Sequence, residues 1–376
     1  MKIARLVISL VIAPFLASAG YAAPSAAVDS STPAASPAAW SQAAAAKYLD
    51  GREIWWQGWE VSQRDHKTVC VSCHTVLPYA LSRSSLRGGL GETAVSDPER
   101  VMLNYIARRV TLWNQLEPYY HTGVDGPKKT PESRGTESVL NALILATYDM
   151  QHNHMTALEH TAFDEAWALQ IKTGNLAGAW DWLNFHFAPW ESNESQYYGA
   201  ALAAVAVGRA PDNYREDPKI QANLQLLRGY LRREYAAQPL INKVYLLWAS
   251  ARMPSLLTGS ERGALLQAIL AKQQPDGGWS LTDLGTWKRI DKTALETKSD
   301  GYATGLTILA LEQSGLAKNL PQAKRGLAWL AQNQNMDEGK WPAWSVNLKR
   351  DPNSYIGHFM NDAATGFAVL ALENSH

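Results

Sequence analysis

Cysteine is almost missing from this chain: Cys70 and Cys73 are the only two in 376 residues. Two thiols can make at most one tight disulfide or one redox pair. They cannot complete a zinc site alone, and only His66 and His74 stand close by. Net charge is missing too. The 35 Lys and Arg balance 35 Asp and Glu, so a nucleic-acid or polybasic membrane footprint is not expected. Past the first residues no stretch reaches the roughly 18 uncharged apolar residues of a membrane span. Phenylalanine is scarce, 6 against 15 Trp and 15 Tyr. Phe fills a core without a polar tip to satisfy. The excess of Trp and Tyr therefore points to aromatics lining a cavity or groove, or to repeats that each spend a Trp on packing.

Both cysteines fall in Cys70-Val71-Ser72-Cys73-His74. C-x-x-C-H is the attachment signature of a c-type haem: two thiols bond covalently to the vinyl groups and the next residue gives an imidazole to the iron. A disulfide, a thioredoxin-like pair and half a zinc site compete with this reading, but no strand–helix context supports the second. Covalent haem c held by Cys70, Cys73 and His74 is the expectation, with no zinc. His121 is a candidate distal ligand. Met102, in an amphipathic pattern from Pro98 to Trp113, reads as core, and His152, His154 and His160 form another cluster.

Export fits that chemistry, because haem is joined to protein thiols outside the cytoplasm. Residues 1–22 read as a signal peptide: a basic Met1–Arg5, an apolar run from Leu6 to Ala19, and small residues at Gly20-Tyr21-Ala22. Residues 23–39, mostly Ala, Pro and Ser, read as a linker. The expected product is periplasmic or secreted. Residues 40–130 would bind haem and 131–376 would form the remaining domain.

Five apolar segments share a polar entry followed by small residues and leucine. They open at Glu137, Glu194, Asn242, Asp300 and Asp362, spaced 57, 48, 58 and 62 residues apart. Each interval holds two helices and their loops. The segments are apolar nearly all round, as helices buried on both sides must be. Those between, such as Ser260–Lys272 and Pro321–Gln334, are amphipathic. An inner ring of apolar helices inside an outer amphipathic ring is an all-α, α/α toroid.

Arg325-Gly326-x2-Trp329-Leu330-x3-Gln334-x4-Gly339-x-Trp341 resembles the QW repeat of squalene–hopene and oxidosqualene cyclases, with one extra residue between Gln and Gly. Gln273-Gln-Pro-Asp-Gly277-Gly278-Trp279 is a second copy, and Gln170 to Trp180 a looser third. The resemblance covers residues 130 to 376. It implies a terpenoid-cyclase-like fold in which Gln caps an outer helix and Trp packs between repeats. Cyclase chemistry is not implied, because the acidic D-x-D-D is absent: Asp300 falls on its first position, followed by Tyr302 and Ala303, and the last repeat has Asn361, Ala363 and Ala364. The zinc site of the related prenyltransferase subunit is reduced to His358-x3-Asp362.

Parallel inner helices would gather Glu137, Glu194, Asp300 and Asp362 at one end, where the helix dipole favours negative charge. The plain explanation is helix capping. The sharper one makes Glu194, Asp300, Tyr302 and Asp362 catalytic. The ligand cavity would then be lined by Glu137, Trp180, Trp182, Trp190, Glu191, Tyr197 and Tyr198, with Arg134 neutralising part of the charge. The reading that follows is an exported haem-dependent oxidoreductase, exchanging electrons with a small or apolar ligand or a periplasmic redox partner. Alternatives are a non-enzymatic cytochrome relay or binding module, and a terpenoid-binding, cyclase-like protein without the usual acid.

Overall fold

The computed structural model describes residues 40–375; the expected signal peptide and almost all of the linker lie outside them. Twelve α-helices make up the described chain: α1 (Gln42–Gly58), α2 (Val76–Gly89), α3 (Asp97–Thr111), α4 (Gly126–His152), α5 (Ala157–Leu169) and α6 (Ser195–Arg209) in the first half. The second half has α7 (Gln221–Glu234), α8 (Leu240–Ser250), α9 (Gly259–Leu270), α10 (Gly301–Gln313), α11 (Pro321–Gln332) and α12 (Phe359–Asn374). Among the described residues extended structure is limited to a two-residue ladder, β1 (Gln63–Arg64) against β2 (Thr68–Val69), and one isolated bridge. The protein is all-α.

Local chemistry sets where these helices start. Ser96 and Glu99 form a reciprocal capping box at α3, and Thr258 and Glu261 do the same at α9. Ser41, Thr156 and Asp300 cap α1, α5 and α10 through their side chains. α4 ends at Asn153, held in the left-handed region at φ 49°.

Two populations of helix follow from the hydrophobic pattern. In α10 every residue from Gly301 to Leu311 is buried, and in α12 every residue from Met360 to Leu372. By contrast α7 buries only Leu224, Leu227, Tyr230 and Leu231, one stripe at helical spacing. The even-numbered helices pack against one another in order, α2 on α4, then α6, α8, α10 and α12, and α12 packs back on α2. The odd-numbered helices lie against them. No break in packing falls at residue 130: α2 sits between α4 and α12, and residues from 40 onward belong to one compact unit.

Three equivalent joints tie odd-numbered helices together. The buried indoles of Trp180, Trp279 and Trp341 donate to the carbonyls of Ala166, Ile269 and Leu330, late in α5, α9 and α11, at 2.6, 2.8 and 2.8 Å. The amides of Gln170, Gln273 and Gln334 each donate to a glycine carbonyl in their own loop and to the next odd-numbered helix or its cap. For Gln334 that next helix is α1: its amide donates to Ser41 O and accepts from Ser41 N. The last repeat therefore holds the first. The loop residue between Gln and Trp must be glycine. At Gly178 and Gly339 φ is +103° and +80°, and a Cβ would lie 2.1 and 2.0 Å from a carbonyl of the adjoining helix.

Candidate functional site

The Cys70–His74 loop is pinned from several directions before it enters α2. Cys70 N donates to Ser62 O, Trp56 Nε1 donates to Cys70 O at 2.7 Å, and Val71 N donates to the Tyr119 hydroxyl at 3.1 Å. Ser72 Oγ accepts from Thr75 N and Val76 N, so it supplies the cap for α2. Both cysteines are free and buried. Burial pushes the Cys70 thiol up to about 12 and the Cys73 thiol well above its ordinary value. Neither is a thiolate at neutral pH, the opposite of the reactive cysteine in a thioredoxin-like pair.

His74 lies between aromatic rings. Phe359 stacks on it at 3.8 Å between centroids and Trp56 meets it edge-on at 5.3 Å. Its Nδ1 is 2.9 Å from Thr75 Oγ1, and that hydroxyl donates to Asp362 Oδ2 at 2.7 Å. A hydroxyl whose proton goes to a carboxylate can only accept from the imidazole, so the proton sits on Nδ1 and Nε2 keeps a free lone pair. Burial first, then the nearby Arg52, lowers the imidazole to about 3, which keeps it neutral.

Cys70 and His74 face a cleft that is partly open to solvent; with that open space counted it spans about 1020 Å³. Trp56, Trp59, Phe187, Trp190, Phe359 and Met360 give it an apolar wall, with Tyr120 and Phe185 beside them. Arg64, Arg350, Asn347 and Glu191 bring polar groups to it. The backbone of Glu191 is fixed by reciprocal 2.8 Å hydrogen bonds with Phe187. Among the described residues no hydrogen bond reaches its carboxylate. Burial raises that group to about 7, against a smaller opposing pull from Lys129. It is an unpaired carboxyl in an aromatic cleft, the setting in which carboxyls act as proton donors. Behind the wall, Trp190 Nε1 donates to the Tyr302 hydroxyl at 2.9 Å, which lies 2.9 Å from that of Tyr245.

The four entry acids are not equivalent. Glu137 is three turns inside α4, which begins at Gly126, and forms a buried ion pair with Arg109. Arg134 does not neutralise it by contact; its guanidinium goes to Leu116 O and over the Trp113 ring. Glu194 is exposed and accepts from Ser192 Oγ. Asp300 is buried with its oxygens on Ala303 N and Leu281 N, a capping role. Asp362 accepts from Tyr48, Arg52 and Thr75. Only Asp362 connects to the cleft, through Thr75 and His74.

Of the aromatic residues expected around a cavity, Trp190 lines the cleft beside Glu191. Trp180 is a joint residue. Trp182 donates to Trp190 O and backs the wall, and Tyr197 reaches Leu231 O on the outer side. Tyr198 and Tyr302 are buried behind the cleft. His121 pairs with Glu117 at 2.9 Å in a neighbouring depression, Met102 is core, and His154 and His160 contact Asp212 and Tyr214. Sequence reading missed Trp56, Trp59, Phe359 and Met360. The Trp55-Trp56-x2-Trp59 cluster was the available signal. Among the described residues no three His, Cys, Asp or Glu converge to hold a metal ion.

No family model matches the chain, and no curated protein matches it. Three solved structures, a glycosidase and two variants of it, one with glucose bound, are similar at 13% identity with TM-scores of 0.49, 0.49 and 0.48. Each alignment covers 89% of this chain and 98% of that one. At this distance the likeness says nothing of activity.

Proposed function

We propose that this chain is an exported c-type haem protein whose haem is joined to Cys70 and Cys73, ligated by His74, and accommodated in the aromatic cleft. The architecture, on this reading, is an α/α toroid of six helical hairpins, with residues 40–130 supplying part of the ring as well as the attachment loop. One observation carries the proposal: Cys70 and His74 of the sole C-x-x-C-H open onto the same cleft. Three further features fit the group. The thiols are unpaired, the imidazole is neutral with Nε2 free, and Arg64 and Arg350 can meet carboxylates.

Bound there, haem c supplies one-electron exchange at iron. The surrounding residues would do the rest. Trp56, Trp190 and Phe359 exclude water and offer apolar surface to a small ligand. Glu191 holds a proton at its carboxyl and can give it to, or take it from, a ligand beside it. The proposed activity is haem-dependent oxidation or reduction of a small or apolar molecule. A cyclase-like role has no support in Asp300, whose oxygens are occupied by backbone amides.

A second reading, a non-enzymatic electron relay, is favoured by Met360. Met360 lines the cleft beside His74 and could give its thioether to the iron, which would suit electron exchange with a protein partner. Protein matured in a periplasm with haem-attachment machinery decides the matter. Denatured protein should keep one haem mass, lost in Cys70→Ala/Cys73→Ala. A disulfide-bonded chain without added mass would end the proposal. CO binding to the reduced protein would support the enzyme; a spectrum indifferent to CO would support the relay.

A further inference from the structure

We propose that Asp362, acting through the hydroxyl of Thr75, sets the electron-donating strength of His74 and holds the bound iron toward its oxidised state; this rests on the haem reading above. Thr75 stands at the N-cap of α2, where a threonine ordinarily accepts from the first turn of its helix. It does not do so. Ser72 Oγ takes over the cap, and Thr75 Oγ1 turns to bridge His74 Nδ1 and Asp362 Oδ2 at 2.9 and 2.7 Å. A local capping bond has been given up for a contact across 287 residues of sequence.

The carboxylate is held as firmly as the hydroxyl. Tyr48 and Arg52 Nε donate to Asp362 Oδ1, both at 2.7 Å, while Arg52 Nη2 joins Thr75 on Oδ2 at 2.9 Å. Arg52 is itself fixed by Tyr355 O and lies over the Trp55 ring at 4.3 Å. Beside that guanidinium the carboxylate only accepts, so the Thr75 proton points to Asp362 and the His74 proton to Thr75. Partners behind a metal-ligating imidazole fix its tautomer and raise its basicity. A more basic imidazole stabilises the higher charge on iron. Asp362 and Thr75 are thus positioning residues, with no contact to ligand.

The experiment uses the haem-loaded protein and reads midpoint potential by spectroelectrochemistry, with haem mass and thermal melting alongside. Thr75→Val keeps the shape of the side chain and removes the bridge. It should raise the potential by at least a tenfold change in the oxidation equilibrium, 59 mV for one electron. Thr75→Ser should restore the wild-type value. Asp362→Asn, which removes the charge, should shift the potential the same way and decides the question if Thr75→Val fails to mature. Loaded variants with wild-type potentials, or a Thr75→Ser protein that behaves like Thr75→Val, overturn the proposal. Wild-type protein without covalent haem instead overturns the reading beneath it.

Discussion

Trp341 offers the most direct test of how the repeats are held together. Its side chain is fully buried, its indole N–H ends on Leu330 O at 2.8 Å, and its backbone N–H donates to Thr365 Oγ1 in α12. Leu330 lies in the last turn of α11, where carbonyls lack the full helical set of partners, and its oxygen accepts from the indole as well as from Asn333 N at 3.3 Å. Trp341→Ala removes the ring and the bond together and should cost about 3–5 kcal/mol. Trp341→Phe keeps most of the apolar volume and removes only the indole's hydrogen bond, the carbonyl keeping Asn333 N, which should cost about 0.5–1.5 kcal/mol. The difference between the two variants is then the packing share. Gly301 gives an independent handle, since a Cβ there would stand 2.4 Å from Trp341 Cβ. Gly301→Ala should be costly in the wild type and beside Trp341→Ala, which keeps that Cβ, but much cheaper beside Trp341→Gly, which removes it, a coupling that a double-mutant cycle isolates. Urea unfolding with an unchanged denaturant slope is the assay. A Trp341→Ala cost below about 1 kcal/mol, or strict additivity of Trp341→Gly with Gly301→Ala, would refute the joint as described.

Glu159 and Glu191 give tests by pH. Burial, with Asp149 and Asp212 adding to it, raises Glu159 to about 9, and its side chain is fully buried. The folded state therefore keeps a proton that the unfolded chain releases near 4.5, and stability falls as pH rises through that window. Glu159→Gln should flatten the fall and be more stable than wild type at pH 8 by on the order of 1–3 kcal/mol, read from melting curves between pH 5 and 8. Glu191, raised to about 7, has the same sign over a narrower window, from about 4.5 to 7. Glu191→Gln should remove that part of the pH dependence and any step in ligand affinity near neutrality. An unchanged titration curve would show that Glu191 does not bear the proton.

The periodicity of the repeats was legible because the joints are built from residues that tolerate no exchange. A Gln that reaches two carbonyls, a glycine at positive φ and, two residues after it, a Trp whose indole N–H is bonded recur in the same order three times. The start of α4 was not legible. From sequence the apolar segment opens at Glu137. Yet α4 begins at Gly126, so Pro127 sits where its missing N–H costs nothing, and Gly135 is required because a Cβ would meet Asp181 O at 2.1 Å. That extension carries Glu137 three turns into the helix and onto Arg109. The place of α2 in the closure was hidden for a different reason. Its sequence carries no joint motif, and its role is set by what α4 and α12 leave uncovered.

The site shows the same division at finer scale, and Asn361 and Asp362 make it plain. Aligning the last two repeats matches Asn361 to Asp300, and the structure agrees: Asn361 Oδ1 accepts from Ala343 N, two residues after Trp341, as Asp300 accepts from Leu281 N, two residues after Trp279. Asp362 is the neighbouring residue, and one step along an α-helix turns a side chain by about 100°. That rotation takes it off the joint and onto α1 and Thr75. An acid counted by type looks like a fourth copy of one feature, while its direction makes it a different one. The direction depends on Arg52 and Tyr48 standing where they do, more than 300 residues away. No local pattern contains that fact. What the chain does record is that the acid of the last repeat lies one residue out of register, and it is this displaced acid, alone of the four, that the His74 loop has recruited.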